Sequence, residues 1–418
     1  MNSILRIELS ENVKKYLNFL CLELPTRQVG SRGNQTATEF LTTKLAGFGF
    51  RTERSEFECI DWVTEGASLS VGSKKFEVYS SPYSLGCEEN GELIVANNVE
   101  ELENTFHLGG EKKMRGKWIL LVRGELAKEQ LMAKNFPFYN PPEHQHIIQM
   151  LETFKPQAIV AATSRNPELA GAVYPFSLIE DGDFDIPSVY MTEDEGNRLA
   201  QQVGETVSLI SRARRIPSKG CIVTARKGSD QDLRIVICAH IDTKLGTPGA
   251  LDNAGGVVVL LLVAELLERY SGRLGIEILV VNGEDYYAAS GEKLYLQKNQ
   301  GMLNQILLNI NLDAAGYIHG NTAYSLYDCP EGLKPAIHKA FMSQAGIVEG
   351  EQWYQSDHMV FVQNQVPAVA VTSEQIVEVM SQITHTDGDR PEMVDPEKLV
   401  NIALALKELV FDLDGRLA

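Results

Sequence analysis

The chain has no cysteine pairing pattern, no long apolar run and no excess of positive charge, and each absence removes a class of protein. Six cysteines, Cys21, Cys59, Cys87, Cys221, Cys238 and Cys329, are scattered through 418 residues with no CxxC among them. That spacing offers no disulfide framework, and Cys221 and Cys238 fall inside apolar strand-like runs where a free thiol acts as a small hydrophobe. A reducing cytoplasm is therefore the expected location. No apolar run approaches the ~20 residues needed to cross a bilayer. The first residues, MNSILRIELSENVKKYLNFLCLEL, thread charges through their apolar positions. They read as an amphipathic helix and not as a signal peptide. The net charge is −18, which disfavours nucleic acid and anionic membrane as partners because both demand a basic footprint. No internal repeat or low-complexity tract is present.

What the chain does have is length for a large core and for more than one domain, with an ordinary 44% of hydrophobic residues. Residues 1–60 read as helix, turn, helix and strand; GSRGNQTATEFLTTKLAGFGF (Gly30 to Phe50) is a turn and then an amphipathic helix stopped by Gly47 and Gly49. Residues 61–217 hold short β-like runs (GELIVA, KWILLVRG, QAIVAAT, IPSVYM) interrupted by one helical stretch, HQHIIQMLETF. Residues 218–418 alternate strands and helices, the signature of an α/β layer structure.

The ends of the apolar runs in that last segment carry chemistry. LRIVICA stops at His240, GIEILVV runs into Asn282-Gly283-Glu284-Asp285, and QILLNINL into Asp313. In open α/β sheets ligands bind outside the carboxyl ends of the strands, so these residues are delivered to one edge. The stretch AHIDTKLGTPGALDNAGG adds Asp242 and Asp252, the latter at the mouth of a helix with two glycines behind it. Taken singly, His240 reads as a satisfied polar residue, Asp252 as a helix N-cap, Glu284-Asp285 as a solvated turn, Asp313 as a loop acid and His385 as surface. Together, in this order and each at an element end, they point elsewhere. Carboxylates crowded at one edge repel or demand a cation. Zinc accepts His nitrogen and Asp or Glu oxygen, and two zinc ions about 3.5–4 Å apart can share a bridging carboxylate. Asp252 is placed to bridge, His240, Asp313, Asp285 and His385 would complete two sites, and Glu284 would be left free to take a proton.

These motifs resemble the zinc metallopeptidases grouped with aminopeptidase Y, glutamate carboxypeptidase II and glutaminyl cyclase, peptidase family M28. The matching segments are HID (His240, Asp242), GALDN (Asp252, Asn253), NGED (Glu284, Asp285), NLD (Asp313) and HTDGD (His385), with GSRGN and SDHMVF as further matches. The resemblance covers 1–60 and 218–418. It implies a three-layer α/β fold with a central mixed sheet between helices, formed by those two segments as one discontinuous catalytic domain. It implies one zinc on His240, Asp252 and Asp313, and a second on Asp252, Asp285 and His385, with cobalt or manganese as alternatives. Glu284 would be general acid/base, and Asp242 would fix the tautomer of His240. Residues 61–217 resemble the mostly-β protease-associated domain inserted in some of these peptidases.

Two positions depart from the family pattern. Asp285 is shorter than the commoner Glu, and Thr384 stands before His385 where several relatives carry a tyrosine that donates to the oxyanion; Tyr286, Tyr287 and Tyr354 are the candidates to replace it. The leading expectation is an aminopeptidase acting on peptide substrates. A carboxypeptidase or dipeptidase would need a basic pocket, for which only Lys244 and Arg390 lie near the motifs. A glutaminyl cyclase would use one zinc, and a peptide-binding protein without turnover would have no need of Glu284. Asp357 and His358 are open between supporting the last strands and touching substrate. His107, His144, His146, His319 and His338 are expected at the surface, and the HxH at 144–146 lies on a helix where i and i+2 point apart.

Overall fold

The computed structural model describes residues 3–24, 26–105, 117–164, 173–229 and 233–416. Contacts divide the chain into two compact units, Met1–Cys59 with Lys219–Ala418, and Ile60–Ser218. The strands Arg51–Val71 and Thr206–Lys227 carry the chain across the two boundaries.

In the discontinuous unit the strands lie in the order Ile347–Glu349, Thr322–Tyr327, Ala368–Ser373, Ile306–Leu312, Arg234–His240, Gly275–Val281 and Thr206–Lys227. Arg234–His240 is parallel to both neighbours, with Ile237 opposite Ile278 on one side and Ile310 on the other. The sheet is mixed: Thr322–Tyr327 runs antiparallel to Ala368–Ser373, and Thr206–Lys227 antiparallel to Gly275–Val281. RIVICAH and GIEILVV are buried at every position, as parallel strands covered on both faces must be. Their carboxyl ends, with that of Ile306–Leu312, bring His240, Asn282 and Asp313 to one edge.

The helix Gly255–Leu266, GGVVVLLLVAEL, has no polar face and is buried from Gly255 to Ala264; a helix apolar all round belongs inside. Pro396–Arg416 packs across it, and Ser3–Asn18 packs on both. The amphipathic helix read from Gly30 onward runs Arg32–Gly47, started by the Ser31 Oγ accepting from the Asn34 N–H at 3.1 Å. One charge sits in the middle of the sheet. Glu277 is wholly buried and accepts from Arg226 Nε at 2.7 Å and from the Tyr295 hydroxyl at 2.7 Å. Arg234 Nε lies 3.2 Å away. A buried carboxylate persists only when paired in this way.

In the unit Ile60–Ser218, the strands Cys87–Ala96, Trp118–Val122, Ala158–Thr163 and Ser188–Thr192 run parallel in that order. Alternation divides them between two apolar layers. Leu120, Val122, Ile159 and Ala161 face one cluster, and Ile119, Leu121, Val160 and Ala162 the other. The helix read around HQHIIQMLETF spans Pro142–Phe154. Glu193–Ala200 is a further helix, capped by the Thr192 Oγ1 on the Glu195 N–H; its acidic first turn, Glu193-Asp194-Glu195, suits a helix N-terminus. Among the described residues no helix is long and apolar enough to cross a membrane.

Candidate active site

After His240 the chain leaves the sheet, turns through Gly249 in the left-handed region (φ 60°) and enters the helix that begins at Gly255. A side chain on Gly256 would meet Asn253 Oδ1 at 2.4 Å and the Leu312 carbonyl at 2.6 Å. The glycine lets the helix start press against the strand end that carries Asp313. Asn253 fastens the join, donating from Nδ2 to the Leu312 carbonyl at 2.7 Å and accepting from the Gly256 N–H at 3.0 Å.

The side chains singled out in the sequence meet here in two groups. Ligand atoms of His240, Asp252 and Asp313 all lie within 4.8 Å of one another, and so do those of Asp252, Asp285 and His385. Asp252 belongs to both. Its Oδ1 is 3.1 Å from His240 Nε2, and its Oδ2 is 3.0 Å from His385 Nε2. Asp313 Oδ1 stands 3.6 Å from His240 Nε2, and Asp285 Oδ1 3.0 Å from His385 Nε2. Glu284 is half-buried beside them, a member of neither group.

The supports of this site are mostly backbone contacts. The Asp242 carboxylate accepts from the Gly283 N–H at 2.7 Å and the Asp285 N–H at 3.0 Å, holding the turn that presents Glu284 and Asp285. Its distance to His240 Nδ1 is 3.8 Å, whereas the Asp242 carbonyl is 3.2 Å from that nitrogen. The backbone of Asp242, not its carboxylate, thus faces the imidazole, and the acid orients the neighbouring loop. Two residues to which sequence reasoning gave no role complete the frame. Asp389 accepts from the Leu251 N–H at 2.7 Å and the Asp252 N–H at 3.0 Å. Arg27, 2% exposed, donates to the carbonyls of Ile241, Leu20, Pro248 and Gly249 at 2.7 to 3.0 Å. Asn34 and Asn282 exchange reciprocal amide bonds of 2.8 and 2.9 Å, tying the helix Arg32–Gly47 to the Glu284 turn. The clue to Asn34 and Arg27 lay in the TRQVGSRGN stretch, but nothing local named their partners.

Crowding sets the electrostatics. Burial alone would lower the pKa of His240, yet Asp252, Asp313 and Glu284 hold it well above the imidazole range. His385 is raised in the same way, against its burial, by Asp285 and Asp252. Burial would raise Asp252, but the two imidazoles pull it below the usual carboxylate range. Asp242 is pushed up to about 6 by burial, with His240 opposing. Glu284 is held well above its ordinary value by its enclosure and by Asp285, Asp313 and Asp252, with His240 the opposing influence. Carboxyl groups outnumber imidazoles, and His240 Nε2 and Asp285 Oδ2 make no hydrogen bond. A nitrogen-and-oxygen donor set with unpartnered ligand atoms and a surplus of negative charge fits zinc.

Of the other candidates, Lys244 stands beside the site, its Nζ 3.9 Å from Asp285 Oδ1. Lys244 donates to the Asp285 carbonyl at 2.8 Å, and Arg390 to the Asp387 carbonyl at 2.6 Å. Tyr286 and Tyr287 are buried with rings 4.5 Å apart, and the exposed Tyr354 donates to Gln352. Asp357 and His358 are both buried; His358 Nε2 sits 2.9 Å from the Trp353 carbonyl. His146 and His319 are exposed and His338 half-buried. His144 departs from the surface expectation. It is buried, with Nδ1 accepting from the Met132 N–H at 3.1 Å, because it lies on the inward face of its helix with Ile147, Ile148 and Leu151. His107 lies outside the described residues.

Residues 221–410, which carry every member of both groups, match the profile of peptidase family M28. Among curated proteins it is 23% identical over 316 residues to a probable lipoprotein aminopeptidase, LpqL, of Mycobacterium tuberculosis, a match spanning 74% of this chain and 58% of that protein. It is 21% identical to leucine aminopeptidase 2 of Trichophyton equinum, across 87% of this chain and 72% of the relative. Its fold is that of a zinc aminopeptidase from Bacillus subtilis, with a TM-score of 0.72 at 16% identity, covering 97% and 94% of the two chains. The M28 match over residues 221–410 and the α/β fold with its large mixed sheet between helices agree with the reading of the sequence.

Proposed function

We propose that this chain is an aminopeptidase of the M28 type that uses two zinc ions, one held by His240, Asp252 and Asp313 and the other by Asp252, Asp285 and His385. The observation that carries the reading is Asp252, whose two oxygens lie 3.1 and 3.0 Å from imidazoles of different groups. Bound zinc would supply a Lewis acid for the scissile carbonyl and a lowered pKa for water. Glu284 takes the proton from the attacking water and returns it to the leaving amine. Asp242 keeps Glu284 in place through the Gly283 and Asp285 amides. The anionic edge favours a substrate ammonium, hence a free N-terminus. The aminopeptidase names of the relatives support the same substrate class.

Ile60–Ser218 is proposed as a protease-associated-like insert on the strength of its sequence segments. The cytoplasm is the proposed location, supported by six cysteines that are all free. The test is a panel of aminoacyl fluorogenic substrates, leucyl first, assayed with zinc against N-blocked counterparts. Hydrolysis confined to free amines is expected; equal cleavage of blocked peptides would overturn the aminopeptidase reading.

A further inference from the structure

The two groups of ligands are not held alike. His240 closes the strand Arg234–His240, and Asp313 follows Ile306–Leu312 with its own N–H donating to the Val371 carbonyl at 3.0 Å. Asp285 and His385 lie in turns, the first after the strand Gly275–Val281 and the second after the helix Ile376–Gln382. His385 adopts a left-handed φ of 61° there. A turn has no ladder of its own, so its backbone groups find their partners elsewhere. Asp285 is also one methylene shorter than a glutamate, so the reach of its carboxylate depends on where its backbone sits.

One loop supplies ties to both turns. The Asp242 carboxylate takes the Asp285 N–H at 3.0 Å, and Lys244 Nζ donates to the Asp285 carbonyl at 2.8 Å. The peptide groups on either side of this ligand are thus held by an acid and a base from the same short segment. Further along, Thr247 Oγ1 donates to the carbonyl of Thr386, the neighbour of His385, at 2.8 Å. The Lys244 ammonium stands 3.9 Å from Asp285 Oδ1, the oxygen that lies 3.0 Å from His385 Nε2. That distance is too long for a hydrogen bond. Lys244 grips the backbone of the ligand and leaves the ligand atom to the metal.

We propose that Lys244 is a positioning residue for the second zinc, holding Asp285 where its short side chain can reach the ion. The inference rests on the two-zinc reading above. A cation beside a metal site also repels the metal, and the two effects have opposite signs. The Lys244 side chain is 28% exposed, so water and salt screen its charge, whereas its bond to the carbonyl is short and charge-assisted. The bond outweighs the repulsion. Loss of Lys244 therefore loosens the second ion and leaves the first in place.

The test reads metal binding and folding on the whole chain, not turnover. Metal-free native chain, K244M, K244R, D285N and K244M/D285N are equilibrated with graded free zinc, and the zinc retained per chain is measured. Urea unfolding of the metal-free proteins gives their stability. The native chain should take up two ions. K244M should bind one ion as the native chain does and the other about 10–100-fold more weakly, at native stability. K244R, which keeps a donor and a charge, should recover most of that affinity. In the D285N background, which already lacks a ligand of the second ion, K244M should change nothing. A native chain that binds two ions while K244M holds both as tightly, or more tightly, overturns the role of Lys244 and leaves the two-zinc reading standing. A native chain that binds a single ion overturns both. Weaker binding of the ion that remains in D285N when K244M is added, or a loss of metal-free stability that matches the loss of zinc, would mean a general structural contact and overturns the proposal as well.

Discussion

Asp389 offers a demanding check on how the bridging carboxylate is held. It is fully buried, touches no ligand atom, and accepts from the Leu251 and Asp252 amides at 2.7 and 3.0 Å. Replacing it with alanine strands two buried N–H groups. At about 1–3 kcal/mol for each unsatisfied donor, D389A should cost about 2–6 kcal/mol. It should also release the Asp252 backbone from its seat, which weakens both zinc sites together because Asp252 serves both. Burial holds the Asp389 carboxyl up at about 7, so the comparison belongs above that pH, where the charged acceptor is present. Urea unfolding with zinc in excess gives the stability, and zinc retained after dialysis against a weak chelator gives the binding. A D389A protein as stable as the native chain, holding zinc equally well, would refute the argument that these two amide bonds fix the bridge.

E284Q keeps the size of the side chain and removes the base; it should retain native zinc content and lose about 10²–10⁴ in kcat, measured with a leucyl substrate, and unchanged hydrolysis would defeat the assignment of Glu284. The His358 imidazole is held down at about 4 by burial, against an ordinary 6.5, so the unfolded chain binds the proton first and stability is lost as pH falls from 6.5 toward 4. H358F retains a ring beside Tyr327 and Trp353 and should flatten that acid limb in unfolding experiments; an undiminished slope would contradict the neutral imidazole. R27M removes the donor that ties Leu20, Ile241, Pro248 and Gly249 together and should cost at least about 3 kcal/mol by leaving buried carbonyls unpaired; a loss below about 1 kcal/mol would show that water replaces it.

The edge of the sheet was readable from sequence because three apolar runs each end in a chemical residue, and burial on both faces leaves such runs no polar positions to confuse the pattern. His240, Asp285 and Asp313 could be named for that reason, and Asp252 and His385 through the GALDN and HTDGD segments of the family resemblance. Asp389 and Arg27 could not be given roles, since their partners are backbone amides and carbonyls, most of them far away in sequence, and such groups leave no mark in composition. Asp242 was legible as an acid near His240, but whether its carboxylate or its carbonyl meets the imidazole depends on one loop conformation. The long strands Arg51–Val71 and Thr206–Lys227 were obscured by runs of exposed charged residues, and in the second by Pro217. His144 was misjudged from its HxH setting: the helical repeat with Ile147, Ile148 and Leu151 turns it inward.

The sharpest measurement is anomalous diffraction at the zinc edge from crystals of the native chain grown with zinc, paired with metal analysis of D252N. The account predicts two peaks, about 3.5–4 Å apart, flanking the Asp252 carboxylate, and a D252N protein that fails to retain the pair. A single peak, or two zinc ions bound undiminished without Asp252, would contradict it.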